Sequence, residues 1–275
     1  MVSEELNYIK EELRQNLPLE LSDFGKLIRS KITLLLLKSC DIKITEEILT
    51  ILTATEVVHN ASLMHDDIID KNGIRRNSQT IYKKEGSTPS LLYGNIALIN
   101  AINMLLTLNS TDIISIFNST VVDMCKGELL QYQQQGKIPT LEEYLLKTEL
   151  KTARLFTAPI RAISTLTQLP ENVINVINNY GIAFQIKNDI TNILTTNSDY
   201  IQGIYTAPII YENNPDKINI GIEKTLSLID NYKRECLNYL GNISDNKYKR
   251  ELIGEIECLN RLERDTTNTE KSTLR

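Results

Sequence analysis

The sequence predicts an all-α fold, a single-domain helical bundle over residues 1–275. Three observations carry this reading. Apolar residues recur at helical spacing through most of the chain. Glycine (11) and proline (7) are scarce, while leucine, isoleucine, asparagine, lysine and glutamate abound, which favours long helices over a turn-rich β fold. No strand-like alternation, internal repeat or linker rich in Pro or Ser breaks the pattern.

In chain order, the amphipathic stretch SEELNYIKEELRQNL (3–17) opens as a helix. The longest apolar run, ITLLLL (32–37), is too short to span a bilayer. A long helix is expected over 45–70, with Thr45 as its cap. Gly73 follows in the break KNGIRRNSQT (71–80), as expected behind a helix end. Four helices are expected over 90–108, 111–135, 140–165 and 172–194, with Pro139 and Pro170 just ahead of the last two. Two more, 216–240 and 247–264, lead into a polar tail whose end, 265–275, is expected to fray.

The net charge of −5, with both signs interspersed, gives no nucleic-acid surface. Cys40, Cys125, Cys236 and Cys258 are far apart and form no CxxC pair, which reads as reduced thiols in a cytoplasmic protein. The charged opening is not signal-like, and no transmembrane segment is expected. Peripheral contact with a membrane stays open.

The chemistry concentrates in HNASLMHDDIID (59–70), which holds both histidines, His59 and His65, beside Asp66, Asp67 and Asp70. On a helix Asp66 and Asp70 stand one turn apart on one face, with Asp67 beside them. Carboxylates so placed can share a divalent cation such as Mg²⁺, which keeps positions open for substrate phosphates. A solvated acidic helix end is the plainer alternative. The apolar run leading into the motif favours the metal site. So does the helix dipole, which acids near a C-terminus oppose unless a cation offsets them. Lys26, Arg29, Arg75, Arg76 and Lys151 offer charge for phosphate oxygens. FQIKNDITN carries Asn188, Asp189 and Asn192 in the same i, i+1, i+4 pattern.

Over roughly residues 20–211 these segments resemble the trans-isoprenyl (polyprenyl) diphosphate synthases, most of all the medium- and long-chain members. GKLIR, HNASLMHDDIID, IRR, KGELLQ, KTARLF, FQIKNDITN and IQGIYTAPII occur in the order of that family's motifs. The resemblance implies an isoprenoid synthase bundle that condenses isopentenyl diphosphate with an allylic diphosphate. It implies Mg²⁺ as cofactor and a homodimer as assembly. It assigns metal binding to Asp66, Asp70 and Asp189, with Asp67 in support. Lys26, Arg29, His59 and Arg76 match the isopentenyl diphosphate pocket. Arg75, Lys151 and Gln185 match the surroundings of the allylic diphosphate, and Thr152 flanks the reacting carbons. Asp66, Asp70, Arg75, Lys151 and Thr152 form the implied catalytic set. His65 has no matched role and reads as structural.

The chain also departs from the family pattern. Asn188 and Asn192 stand where acids are usual, and only ILTTNS separates Asn192 from Asp199, where a longer glycine- and lysine-bearing loop is common. Leu27 replaces an arginine, and Asn95 stands where a Gly-Asp pair is common. Two alternatives therefore stay open: a class I terpene synthase-like enzyme, and a weakly active or non-catalytic subunit of a heteromeric synthase. No aromatic sits four or five residues before Asp66, where Ala61 and Ser62 stand. In the family an aromatic there stoppers the product pocket, so a product longer than geranylgeranyl is expected, unless Ile99 or Met104 on the facing helix closes the cavity.

Overall fold

A computed structural model describes residues 2–17, 24–170, 172–213 and 217–261. Its long helices are α1 (Ser3–Asn16), α2 (Ile28–Ser39), α3 (Glu46–Ile69), α5 (Ser87–Leu106), α6 (Thr111–Gln134), α9 (Val173–Leu194), α12 (Ile218–Leu240) and α13 (Lys247–Glu257). Short helices α4 (Ile81–Glu85), α7 (Leu141–Thr148), α8 (Arg154–Ser164), α10 (Ser198–Ile201) and α11 (Ala207–Tyr211) connect them. One continuous apolar core runs through the bundle. The expected tail, 265–275, lies outside the described residues.

Three elements depart from the sequence expectation. Helix α2 was hidden inside the apolar run, since Leu34, Leu35, Leu36 and Leu37 are all fully buried. A helix buried on every side has no amphipathic stripe to reveal it. Strands β1 (Ile74–Arg75) and β2 (Ser78–Gln79) form an antiparallel ribbon in the break behind α3. Two-residue strands are too short to alternate. Arg76 and Asn77, at φ 51° and 61°, make its turn, the left-handed pair that matches hairpin twist. The helix expected over 140–165 is divided by a π-helical turn, Glu149–Ala153.

Helix α3 begins where expected, with the Thr45 hydroxyl accepting from Ile48 N. It packs most extensively along α5. Gly94, Ala97, Ala101 and Leu105 are the buried face of α5, and a Cβ at Gly94 would lie 2.3 Å from His65 Nε2. His65 is thus a packing residue on the α3–α5 seam. Leu92, Ile96, Ile99 and Leu106 are exposed along the outer side of α5, so Ile99 faces away from α3. Among the described residues α5 alone is long and apolar enough to cross a membrane, by length and composition only. On α6, Val122, Leu129 and Tyr132 are exposed in a second stripe.

The π-helical turn is gripped by glycines on two sides. A Cβ at Gly127 of α6 would lie 2.5 Å from Lys151 N, and one at Gly181 of α9 would lie 2.9 Å from Ala153 Cα. Gly254 on α13 faces open space. Gly254→Ala should therefore raise stability by up to about 1 kcal/mol through helix propensity. Gly127→Ala should lose that gain and fall below the parent, because overpacking against backbone costs about 1–3 kcal/mol. Denaturant unfolding of the two variants side by side gives the comparison, and equal shifts would contradict the close approach.

Candidate active site

Asp70 at the end of α3 and Asp189 on α9 line one polar cleft of about 440 Å³, together with Gln131, Lys147, Lys151, Thr152, Gln185 and Asp199. The two acidic motifs therefore meet across a common space. Burial raises the Asp66 carboxyl to about 6, with Lys151 opposing and Glu128 and Asp70 adding to the shift. Burial raises Asp70 in the same direction, again against Lys151. Lys151 ion-pairs with Glu128. Burial works against its charge, but Asp66 and Glu128 outweigh it and hold the ammonium above its ordinary range. The π-helical turn carries Lys151 and Thr152 into the cleft, a placement typical of such turns at functional sites.

Asp67 is used differently from its neighbours. Its Oδ1 accepts from Arg75 Nε at 3.0 Å and pairs with Nη2 at 2.8 Å. It is buried and outside the lining of the cleft. The expected metal support from Asp67 is thus support at one remove: the carboxylate fixes Arg75, and through it the hairpin, behind α3.

On the opposite wall a relay orients Asp189. Thr152 Oγ1 donates to Gln185 Oε1 at 3.0 Å, and Gln185 Nε2 donates to Asp189 Oδ1 at 2.6 Å. The Tyr144 hydroxyl donates to Asp189 Oδ2 at 2.6 Å. Both oxygens are therefore engaged. Asn188 is exposed. Asn192 is turned to the loop, its Nδ2 donating to Ser198 Oγ at 2.8 Å and Asp199 Oδ1 at 3.1 Å, and its Oδ1 accepting from Asp199 N at 3.2 Å. Asn192 staples the loop behind α9, and the loop brings Asp199 into the cleft. Burial, reinforced by Asp189, raises the Asp199 carboxyl to about 6.

A separate basic cluster lies beneath. Arg29 is buried, its guanidinium 4.8 Å from the Phe156 ring centroid. Burial lowers it to about 10, against the attraction of Glu56. Glu56 Oε1 accepts from Ser30 N at 3.0 Å and Ser30 Oγ at 2.8 Å, so this carboxylate caps α2 where Leu27 has no side chain to do so. His59 is held neutral by burial first, then by Arg29, Arg76 and Arg75. Arg76 packs on Gly25, where φ is +74° and a Cβ would lie 2.5 Å from Nη2. Lys26 is exposed beside it. These four expected isopentenyl-site residues belong to one neighbourhood.

Five residues at the site escaped the sequence reading: Glu56, Glu128, Tyr144, Lys147 and Asp199. Glu128 lay in the quoted KGELLQ segment without a role. The others carry no motif, and only tertiary contact marks them. Among the described residues no group of three or more acids, histidines or cysteines converges as a metal cage. The half-buried Asp66–Asp70 pair, whose charges repel one another, still fits Mg²⁺, which needs only one or two carboxylates and keeps waters and phosphate oxygens as its other ligands.

The Polyprenyl synthetase family model matches residues 10–234. The chain belongs to the polyprenyl synthetase family. A prenyl transferase of Cyanophora paradoxa is 32% identical over 214 residues, covering 70% of this chain and 65% of that protein. The decaprenyl-diphosphate synthase of Dictyostelium discoideum is 31% identical over 199 residues, covering 68% of this chain and 43% of that protein. The chain thus spans less than two thirds of these relatives' own lengths. Among solved structures, the heptaprenyl diphosphate synthase from Staphylococcus aureus has the same fold, with a TM-score of 0.83 at 24% identity over 94% of this chain and 98% of that one.

The charge pattern of this polyprenyl synthetase site sets a pH dependence. A cation held by Asp66 would have to displace the proton that burial keeps there up to about pH 6. Mg²⁺ affinity should therefore fall below about pH 6, by up to roughly tenfold per unit for each proton displaced. The metal-free chain should show the opposite trend. Its folded carboxyl binds protons more tightly than the unfolded one, so stability falls as pH rises from about 4 to about 6. Calorimetric Mg²⁺ titrations and thermal melts across this range measure both.

Proposed function

We propose that the chain is a prenyltransferase that condenses isopentenyl diphosphate with an allylic diphosphate. The observation that carries the reading is the shared cleft of Asp70 and Asp189, with Lys151 and Thr152 between them and a basic cluster beneath. Relatives named decaprenyl- and solanesyl-diphosphate synthases support it. The allylic diphosphate binds in the polar cleft with Lys151 against its oxygens. Isopentenyl diphosphate sets its headgroup among Arg29, His59, Arg76 and Lys26. Asp66 and Asp70 are the residues that would hold Mg²⁺, with Asp189 facing them, and Mg²⁺ supplies Lewis-acid stabilisation of charge on the leaving diphosphate. The allylic C–O bond breaks, and the double bond of isopentenyl diphosphate forms the new C–C bond to the allylic carbon. A proton then leaves, with the diphosphate as acceptor. Apolar helix walls keep water from the carbocation.

The exposed apolar stripes on α5 and α6 support a homodimer built through those helices. Four free thiols suit a reducing, cytoplasmic setting. For product length the seam of α3 and α5 is the relevant wall. Ala61 and Val58 are core residues there, whereas Ser62 is half-buried with its hydroxyl donating to His59 O at 2.8 Å. Ile99, on the outer side of α5, cannot close this wall, and a product beyond geranylgeranyl remains the proposal.

Labelled isopentenyl diphosphate with each allylic primer tests the activity. Elongated products are expected. A hydrocarbon or alcohol from the primer alone would identify a terpene synthase, and turnover only with a second polypeptide would identify a subunit. Asp66→Ala or Asp70→Ala should lower turnover by roughly a hundredfold or more, the scale of losing one charge-stabilising group. Asn192→Ala should cost less, because its amide holds a loop. Ser62→Phe should shorten the product, read by chromatography. Ala61→Phe would overpack the core instead, so an unchanged ladder in the Ser62 variant alone places the floor elsewhere.

A further inference from the structure

Lys147 is a cation with nothing to hold. It is 6% exposed and lines the cleft. Among the described residues its ammonium makes no hydrogen bond and no ion pair within 4 Å. Its one short-range partner is the Tyr144 ring, 4.9 Å away at the centroid. Asp189 and Asp199 act on it only at longer range, and burial pushes its pKa down despite them. The two Asp189 oxygens already accept from Gln185 and Tyr144, and Asp199 Oδ1 accepts from Asn192. An ammonium has three donors and no acceptor, and at Lys147 they are left to the cleft that the residue lines. In the cleft the missing partner is an anion.

We propose that Lys147 is a resident cation of the α9 side of the cleft, binding diphosphate oxygen where the Asn-substituted motif holds less metal. The inference rests on the diphosphate reading of the site given above. The two walls then divide the labour. The α3 wall presents the Asp70 carboxylate, with Asp66 one turn behind it, and takes its positive charge from solution. The α9 wall keeps Asp189 hydrogen-bonded, leaves Asn188 outside and carries its positive charge in the chain. Lys147 stands one helical turn before Lys151, on the same side of the α7 and π-helical segment. A diphosphate spanning the cleft meets both.

The test is binding of inorganic pyrophosphate by calorimetry in EDTA, which removes the metal contribution. Lys147→Met should weaken the metal-free affinity at least tenfold, and Lys147→Arg should retain most of it. Pyrophosphate binding by Lys147→Met at parental affinity would overturn the proposal. Replacing a buried charge by an apolar side chain of similar volume is often neutral or stabilising, and circular dichroism checks the fold. Should the variant not fold, amine labelling of the parent with peptide-resolved mass spectrometry decides. Protection of Lys147 by pyrophosphate supports the proposal, and unchanged labelling overturns it. Chain elongation plays no part in either readout. A protein that binds pyrophosphate through Lys147 but elongates nothing would refute the prenyl-transfer reading and leave this one standing.

Discussion

Lys151 and Thr152 reach the cleft from a five-residue π-helical turn wedged between α6 and α9. The wedge exists because Gly127 and Gly181 have no side chain where the turn's backbone passes. Cores deform in discrete steps, so one methyl group at either glycine would displace the whole turn rather than a single atom. With it would move the Thr152–Gln185–Asp189 relay and the Lys151–Glu128 pair. The chemistry of both walls is thus hung from a backbone contact that has no charge of its own.

Around that contact the charges are sorted by depth. The Asp66–Asp70 pair sits at the mouth of α3 with its protons held too tightly, a state that a cation relieves. In the core Arg29 and Glu56 attract one another against the cost of burial, while Glu56 also caps α2. Asp67 and Arg75 form the link between the two layers. One five-residue stretch, 66–70, therefore supplies two kinds of carboxylate, Asp70 turned to the cleft and Asp67 turned to the frame. Helical phase decides which is which.

The sequence made most of the bundle legible. Helices with a polar face, such as α1 and α12, announce themselves by period, and Thr45 marks the start of α3 through a local hydrogen bond. Helix α2 did not, since its leucines are buried all round. The β-ribbon was concealed by its shortness, and the π-helical turn by a sequence that reads as helix throughout. At the site, residues in contiguous motifs were found, among them Asp66, Asp70, Arg29 and Asp189. Residues recruited by tertiary contact were not. Glu56 is eleven residues from Asp67 in sequence and looks like ordinary helix surface, yet it is 1% exposed. Asp199 enters only because Asn192 holds the loop, and that use of an asparagine reads from sequence as mere loss.

The Asn192 staple also has an entropic meaning. Between Asn192 and Asp199 the chain turns in six residues, and the Asn192 side chain and carbonyl bind Asn197, Ser198 and Asp199. A rim tied at so many points has few conformations left to give up. A ligand entering the cleft would lose little ordering entropy on this side, because folding has already removed it. The six-residue loop is thus a rim whose order is set by folding, before any ligand arrives.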